Sequence, residues 1–321
     1  MRWFKRISVG LVALLLLLVG LSFAFHQISL SLNKDKFPPP GQFIEVDGVA
    51  MHYVCHGQGT PVIVYESGMG QDSFTAWDKI AKQTAQSNKS CYYDRQGMGW
   101  SDGFEGEMTF EDRALHLGHI IDAVSEGKPV VLVSHSVGGI IIRRYSLIFK
   151  HKIAGMVMSD SAHPNQHGLS EGGLSPLPES DSLWAKRAAT IGLTRIQDMY
   201  ESWDKLDEPE EARFIEQYSG AKFAHVILNH ARVGHYNHPI ADFNYDLKGI
   251  PLVVLSHDPD AYPKNERFIK LNKMWSVLQQ EIAYLSELSR LSVVKGTTHD
   301  IIGEKPEAVL EAIKGLLGQI K

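Results

Sequence analysis

The sequence predicts an α/β protein: an eight-stranded, mostly parallel sheet with helices on both faces and a helical lid, preceded by one N-terminal transmembrane helix. Three observations predict it. The chain opens with 19 consecutive uncharged residues, Ile7 to Phe25. From Phe43 onward, short β-rich runs alternate with amphipathic helical stretches, the pattern of a sheet covered on both sides. Between Ala162 and Leu247 that alternation lapses for roughly 80 residues, and an insertion of that size usually forms a lid or cap rather than bare loop.

As a helix, the opening run spans about 28 Å, close to the hydrocarbon thickness of a bilayer. Arg2, Lys5 and Arg6 precede it, which places the N-terminus in the cytoplasm and everything after residue 26 outside. Ser22 and Ala24 have the spacing a signal peptidase accepts, so secretion after cleavage is the competing expectation; the length of the run favours an anchor. Asn33 to Lys36 are polar and Pro38-Pro39-Pro40-Gly41 cannot continue a helix. The expected organisation is therefore an anchor or signal over 1–26, a stalk over 27–41 and a catalytic-sized domain over 42–321, with the lid at about 163–247.

Strands are expected near Phe43–Val46, Met51–Cys55, Val62–Tyr65, Ser90–Tyr93, Val130–Val133, Ala154–Ser159, Leu252–Leu255 and Leu291–Val294. Asp72 or Ser73 can cap a helix carrying Phe74, Trp77, Ile80 and Ala81 on one face, and Phe110 to Val124 repeats apolar residues at helical spacing. Within the insertion, Gly168 to Pro178 reads as loop, and Leu183–Trp203 and Glu210–Ala231 read as helices. Its apolar residues, including Leu183, Trp184, Ile191, Leu193, Met199 and Trp203, are expected mostly to form the lid's own core, with an acyl or aromatic pocket as the alternative.

The net charge of −5, with no long run among the 32 Lys and Arg residues, argues against a nucleic-acid partner. Two cysteines, Cys55 and Cys91, are too few for a disulfide scaffold and lack metal-ligand spacing. His225, His230, His235 and His238 fall close together but without the paired-ligand pattern of a metal site, so a polar helical surface is expected there, and no metal or cofactor is.

The chemistry concentrates in Val130-Val131-Leu132-Val133-Ser134-His135-Ser136-Val137-Gly138-Gly139, which reads as strand, sharp turn and helix. A serine held in such a turn exposes its oxygen, and small residues two before and two after let neighbouring backbones approach. Gly138 fills the later position, and Ser134 stands where glycine is usual.

With that elbow, the segments Pro38-Pro39-Pro40-Gly41, Glu66-Ser67-Gly68-Met69-Gly70, Asp94-Arg95-Gln96-Gly97-Met98-Gly99-Trp100-Ser101-Asp102, Ser159-Asp160-Ser161-Ala162-His163-Pro164 and Gly296-Thr297-Thr298-His299 resemble the α/β-hydrolase family, in the family's order, from about Pro38 to the C-terminus. The resemblance implies Ser136 as nucleophile and His299 as general base. It also implies an oxyanion hole from the Met69 and Val137 amides. Many relatives carry His-Gly where this chain has Ser67-Gly68. The triad acid is implied to follow either the strand before the lid, at Asp160, or the strand after it, at Asp260 or Asp258. Asp160 is favoured because it directly ends an apolar strand, with Asp260 next and Asp258 third. The 94–101 segment is expected to be architectural, its glycines making turns and an ion pair fixing the loop. His135 is expected to be structural, and His163 to line the pocket or form a turn. In the family's sheet order the two cysteine-bearing strands are neighbours, which leaves open a disulfide or two packed thiols.

The expected activity is hydrolysis of a carboxylic ester, a small-molecule substrate, through an acyl-serine intermediate and without a cofactor. Peptidase, thioesterase and carbon–carbon bond hydrolase stay open within the fold, and a slow or non-catalytic ligand receptor outside enzymology. A dehalogenase of this kind would carry Asp at position 136. The membrane is the one partner expected beyond substrate, and protein partners are not legible.

Overall fold

The computed structural model describes residues 2–33, 35–167, 179–201, 209–236 and 246–320. Helix α1 (Arg2–Asn33) is followed by β1 (Gln42–Val46), β2 (Val49–His56), β3 (Ile63–Glu66), α2 (Ser73–Thr84), β4 (Ser90–Tyr93), α3 (Phe110–Ser125), β5 (Val130–His135), α4 (Gly138–Phe149) and β6 (Ile153–Ser159). Then come α5 (Glu179–Thr190), α6 (Leu193–Glu201), α7 (Pro209–Tyr218), α8 (Ala221–Tyr236), β7 (Leu252–His257), α9 (Glu266–Ala283), β8 (Ser289–Val294), α10 (Ile301–Glu304) and α11 (Pro306–Leu317). The chain forms two compact units: Met1–Pro40 with Leu177–Leu228, and Gly41–Pro176 with Asn229–Lys321.

The larger unit holds one eight-stranded sheet in the order β1-β2-β4-β3-β5-β6-β7-β8, antiparallel at β1, β2 and β4 and parallel from β4 to β8. The central strands are continuous apolar runs because both their faces are covered. Along β5, Val130 and Leu132 join a cluster with Leu117, Ile121, Ile141 and Tyr145 of α3 and α4, while Val131 and Val133 join Trp77, Ile80, Ile313 and Leu316 of α2 and α11. This is the two-residue alternation of a strand serving two cores at once. Asp72 caps α2 by accepting from Thr75 N–H at 2.8 Å, and Thr109 and Asp112 form a reciprocal capping box on α3.

In the smaller unit the two helices expected in the insertion are each broken. Gly192, at φ +82°, separates α5 from α6, and Ser219-Gly220 separates α7 from α8. At Gly192 the left-handed conformation carries no steric cost of a side chain, so the helix ends where apolar spacing alone would extend it. Leu183, Trp184 and Leu193, expected in the lid's core, are exposed, whereas Ile191 and Met199 are half-buried. The expected 168–178 loop, Trp203 and His238 lie outside the described residues.

Cys55 and Cys91 are register partners on β2 and β4 and form a disulfide across a separation of 36 residues. Closing a loop of that length restricts the unfolded chain more than the folded one. Thiol titration of the unfolded, unreduced protein should find no free thiol, and replacing both cysteines by serine should lower the unfolding free energy by about 2–4 kcal/mol. Two reactive thiols would contradict the bridge.

Candidate active site

Parallel strands deliver their C-terminal ends, and the loops that follow them, to one edge of a sheet. Four segments arrive there: the loop after β3, the turn after β5, the residues after β6 and the loop after β8. Ser136 follows β5 directly and takes φ +51°, a left-handed conformation unusual for a residue with a side chain. The turn is braced by Ser136 N–H donating to Ser159 O at 3.2 Å and Ala162 N–H donating to Ser136 O at 2.8 Å. Gly138 and Gly139 are required there, because a Cβ on the first would lie 2.7 Å from Glu66 O and one on the second 2.4 Å from the Ser161 side chain. Ser134, standing where glycine is usual, is buried with its hydroxyl 3.3 Å from that of Ser161.

His299 Nε2 lies 2.9 Å from Ser136 Oγ, and its Nδ1 lies 2.6 Å from Asp160 Oδ2. Asp160 is fully buried, also at positive φ (+42°), and its carboxylate is surrounded by donors. His257 N–H and Trp275 Nε1–H each donate to Oδ1 at 2.9 Å, while His257 Nδ1 approaches Oδ2 at 2.8 Å. Burial alone would raise the Asp160 pKa, but the hydrogen bonds and charges of His257 and His299 outweigh it and hold the carboxyl well below its ordinary range. An ionised Asp160 fixes the proton of His299 on Nδ1 and leaves the Nε2 lone pair facing the serine.

The alternative acids lie elsewhere. Asp258 accepts from Gly296 N–H at 2.9 Å and Asp260 N–H at 3.1 Å and faces Lys295, so it serves the loop. Asp260 is exposed and pairs with Lys264 at 2.5 Å. The site residues that sequence reasoning passed over are His257, one position before Asp258, Trp275 on α9, and Asn272, whose Oδ1 lies 3.1 Å from His257 Nε2. Asp160, His257 and His299 bring three potential donor atoms within 4.8 Å of one another. Both imidazoles, however, direct Nδ1 at the same carboxylate oxygen, which makes the group a hydrogen-bonded network rather than a ligand set.

His135 is buried with its ring 4.8 Å from that of His299. Burial, and then the proximity of His299, push its pKa down to about 3, so it stays neutral beside the site. His163 serves a turn, its Nδ1 accepting from Asn165 N–H at 3.1 Å, and burial followed by Arg143 lowers it to about 3.

The loop carrying Met69 is held from beneath by Arg95, which donates to Ser67 O at 2.7 Å and to Gly68 O at 2.6 Å and pairs with the buried Glu66. Tyr93 also donates to Glu66. The ion pair of this segment joins Arg95 to Glu66, while Asp94 turns to His52 at 2.9 Å and to the backbone N–H of Ser73 and Trp100. Because a trans peptide sets its N–H opposite its C=O, the grip on Gly68 O aims the Met69 N–H away from Arg95. Val137, the other expected oxyanion donor, stands at the N-terminal end of α4, where the helix dipole is positive.

A family model described as the alpha/beta hydrolase family matches residues 53–312. Over 119 residues the chain is 32% identical to the uncharacterized protein YqjL of Bacillus subtilis, an overlap of 36% of this chain and 46% of that one. The chain spans about half the length of the curated relatives it matches. Among solved structures, the Cif epoxide hydrolase from Acinetobacter nosocomialis superposes with a TM-score of 0.68 at 18% identity, covering 92% of this chain and 96% of that one. A thermophilic esterase from Thermogutta terrifontis gives 0.60 at 18% identity, covering 87% and 99%. At these identities the likeness is one of fold.

The depressed Asp160 pKa has a consequence for stability. Its ionised form contributes stability that is complete above the unfolded value of about 3.9 and is lost as the pH falls through the lower native value. Asp160→Asn should therefore lower the urea midpoint most at neutral pH, with the gap to wild type narrowing below about pH 4. A gap unchanged from neutral to acidic pH would contradict the network.

Proposed function

The chain belongs to the alpha/beta hydrolase family, and from that premise we propose that it hydrolyses a carboxylic ester through an acyl-serine intermediate. The observation that carries the proposal is the continuous chain of contacts from Ser136 Oγ through His299 to Asp160, at 2.9 and 2.6 Å. Ser136 Oγ attacks the ester carbonyl as His299 Nε2 takes the hydroxyl proton. The Met69 and Val137 amides receive the oxyanion, and the imidazolium is steadied by the ionised Asp160. Collapse expels the alcohol, which leaves with the proton from His299. Water then enters, gives a proton to the same nitrogen and attacks the acyl carbon. The acid departs and the proton returns to Ser136 Oγ.

The relatives' chemistry is compatible with this reading, since the fold neighbours include an esterase and an epoxide hydrolase. The half-exposed imidazole of His299 beside a partly buried serine leaves room for a substrate carbonyl. We further propose that α1 is a retained membrane span with its N-terminus cytoplasmic and the larger unit extracytoplasmic. Its length and the basic residues before it support this, as does a disulfide, which belongs to an oxidising compartment.

With p-nitrophenyl esters of increasing chain length, Ser136→Ala and His299→Ala should each lower kcat/KM by about 10³-fold or more while the circular dichroism shows both variants still folded. Ordinary turnover in either folded variant would refute the assignment.

A further inference from the structure

Helix α6 is built inside out. Leu193, Ile196 and Tyr200, at the i, i+3 and i+7 positions of one face, are exposed, Tyr200 at 80%. The opposite face is polar and packed. Arg195 is only 2% exposed, with Nε–H donating to His26 Nδ1 at 3.1 Å and Nη1 on Glu216 at 2.9 Å. Thr194 donates to Ser219 O, and Asp198 accepts from the Ser219 hydroxyl, both at 2.7 Å. A helix facing water arranges these classes the other way round. On α5, just before α6, Leu183 and Trp184 are exposed as well, Trp184 at 64%.

The same unit fixes where this surface lies along α1. Ser22 Oγ–H donates to Ile191 O at 2.6 Å. A Cβ at Gly192 would lie 2.6 Å from the Cβ of His26 and 2.9 Å from Ser22 O, so the α5–α6 turn abuts the α1 backbone. Ser22 lies one turn inside the end of the uncharged run and His26 immediately beyond it. A helix spanning the bilayer with Ile7–Phe25 therefore brings the α5–α6 turn to the edge of the hydrocarbon.

We infer that the helical unit is a bilayer-surface element, whose exposed face on α5 and α6 inserts Leu183, Trp184, Leu193, Ile196 and Tyr200 into the leaflet that α1 leaves. This rests on the reading of α1 as a retained span. The occupant is lipid because the apolar face is continuous with that span through the Ser22 and His26 contacts. Trp and Tyr are also the residues that settle at the headgroup level. Polar side chains turn inward because in this setting the protein interior is where hydrogen-bond partners are found.

The full chain in phosphatidylcholine nanodiscs tests this with nitroxides on single cysteines introduced by Leu14→Cys, Ile196→Cys and Tyr200→Cys, the native pair being bridged. Oxygen, which partitions into lipid, should relax the labels at 14, 196 and 200 several-fold more than a water-soluble nickel chelate does. Lipid access at 14 with aqueous access at both 196 and 200 would overturn the inference and leave the span standing. An aqueous label at 14, or its absence from the mature chain, would remove the span and the inference together. As a check free of labels, brominated lipids should quench less of the total fluorescence in Trp184→Phe than in wild type; equal quenching would count against the inference.

Discussion

A carboxylate with no access to solvent persists only if its oxygens are fully engaged, and Asp160 is the point on which the sheet edge is organised. Its two oxygens collect contacts from three directions: a backbone amide and an imidazole at the end of β7, an indole from α9, and the imidazole that follows β8. Each contact satisfies the buried charge and at the same time fixes the element that supplies it. The position of His299 relative to Ser136 is thus set by the electrostatics of one buried group, and no mobile side chain has to be recruited when substrate arrives.

The β3 side of the site follows a parallel logic. Arg95 is buried, pairs with Glu66 and donates to two consecutive carbonyls, Ser67 O and Gly68 O. The loop is oriented by its carbonyls, leaving its amides for other use. Gly138 lets the first turn of α4 approach the backbone of Glu66 and Ser67, which brings the loop and the elbow together. The Ser67 hydroxyl lies 2.8 Å from that of Ser73.

Much of this was legible in the chain. Continuous apolar runs fixed the parallel strands, and the abrupt change from Val130–Val133 to Ser-His-Ser and then to a helical stretch marked the elbow. Asp160 stood out because it ends an apolar strand. His257 and Trp275 did not, because their relation to Asp160 crosses about 100 residues and leaves no local period. Arg95 and its neighbour Asp94 likewise find partners on different segments, Glu66 and His52, which no local spacing marks. In the helical unit, apolar spacing identified helices but not which face they bury, a choice made by their surroundings. Gly192 and Gly220 stand at the breaks between those helices.

In the proposed mechanism the environment of Ser136 makes its hydroxyl nucleophilic. Reaction of the native full chain with a fluorophosphonate, followed by intact-mass measurement and peptide mapping, tests it most directly. A single adduct is expected, mapped to Ser136, and it should no longer form once the protein is unfolded in urea before exposure. A native protein that takes up no adduct, or takes it up at another residue, would contradict it.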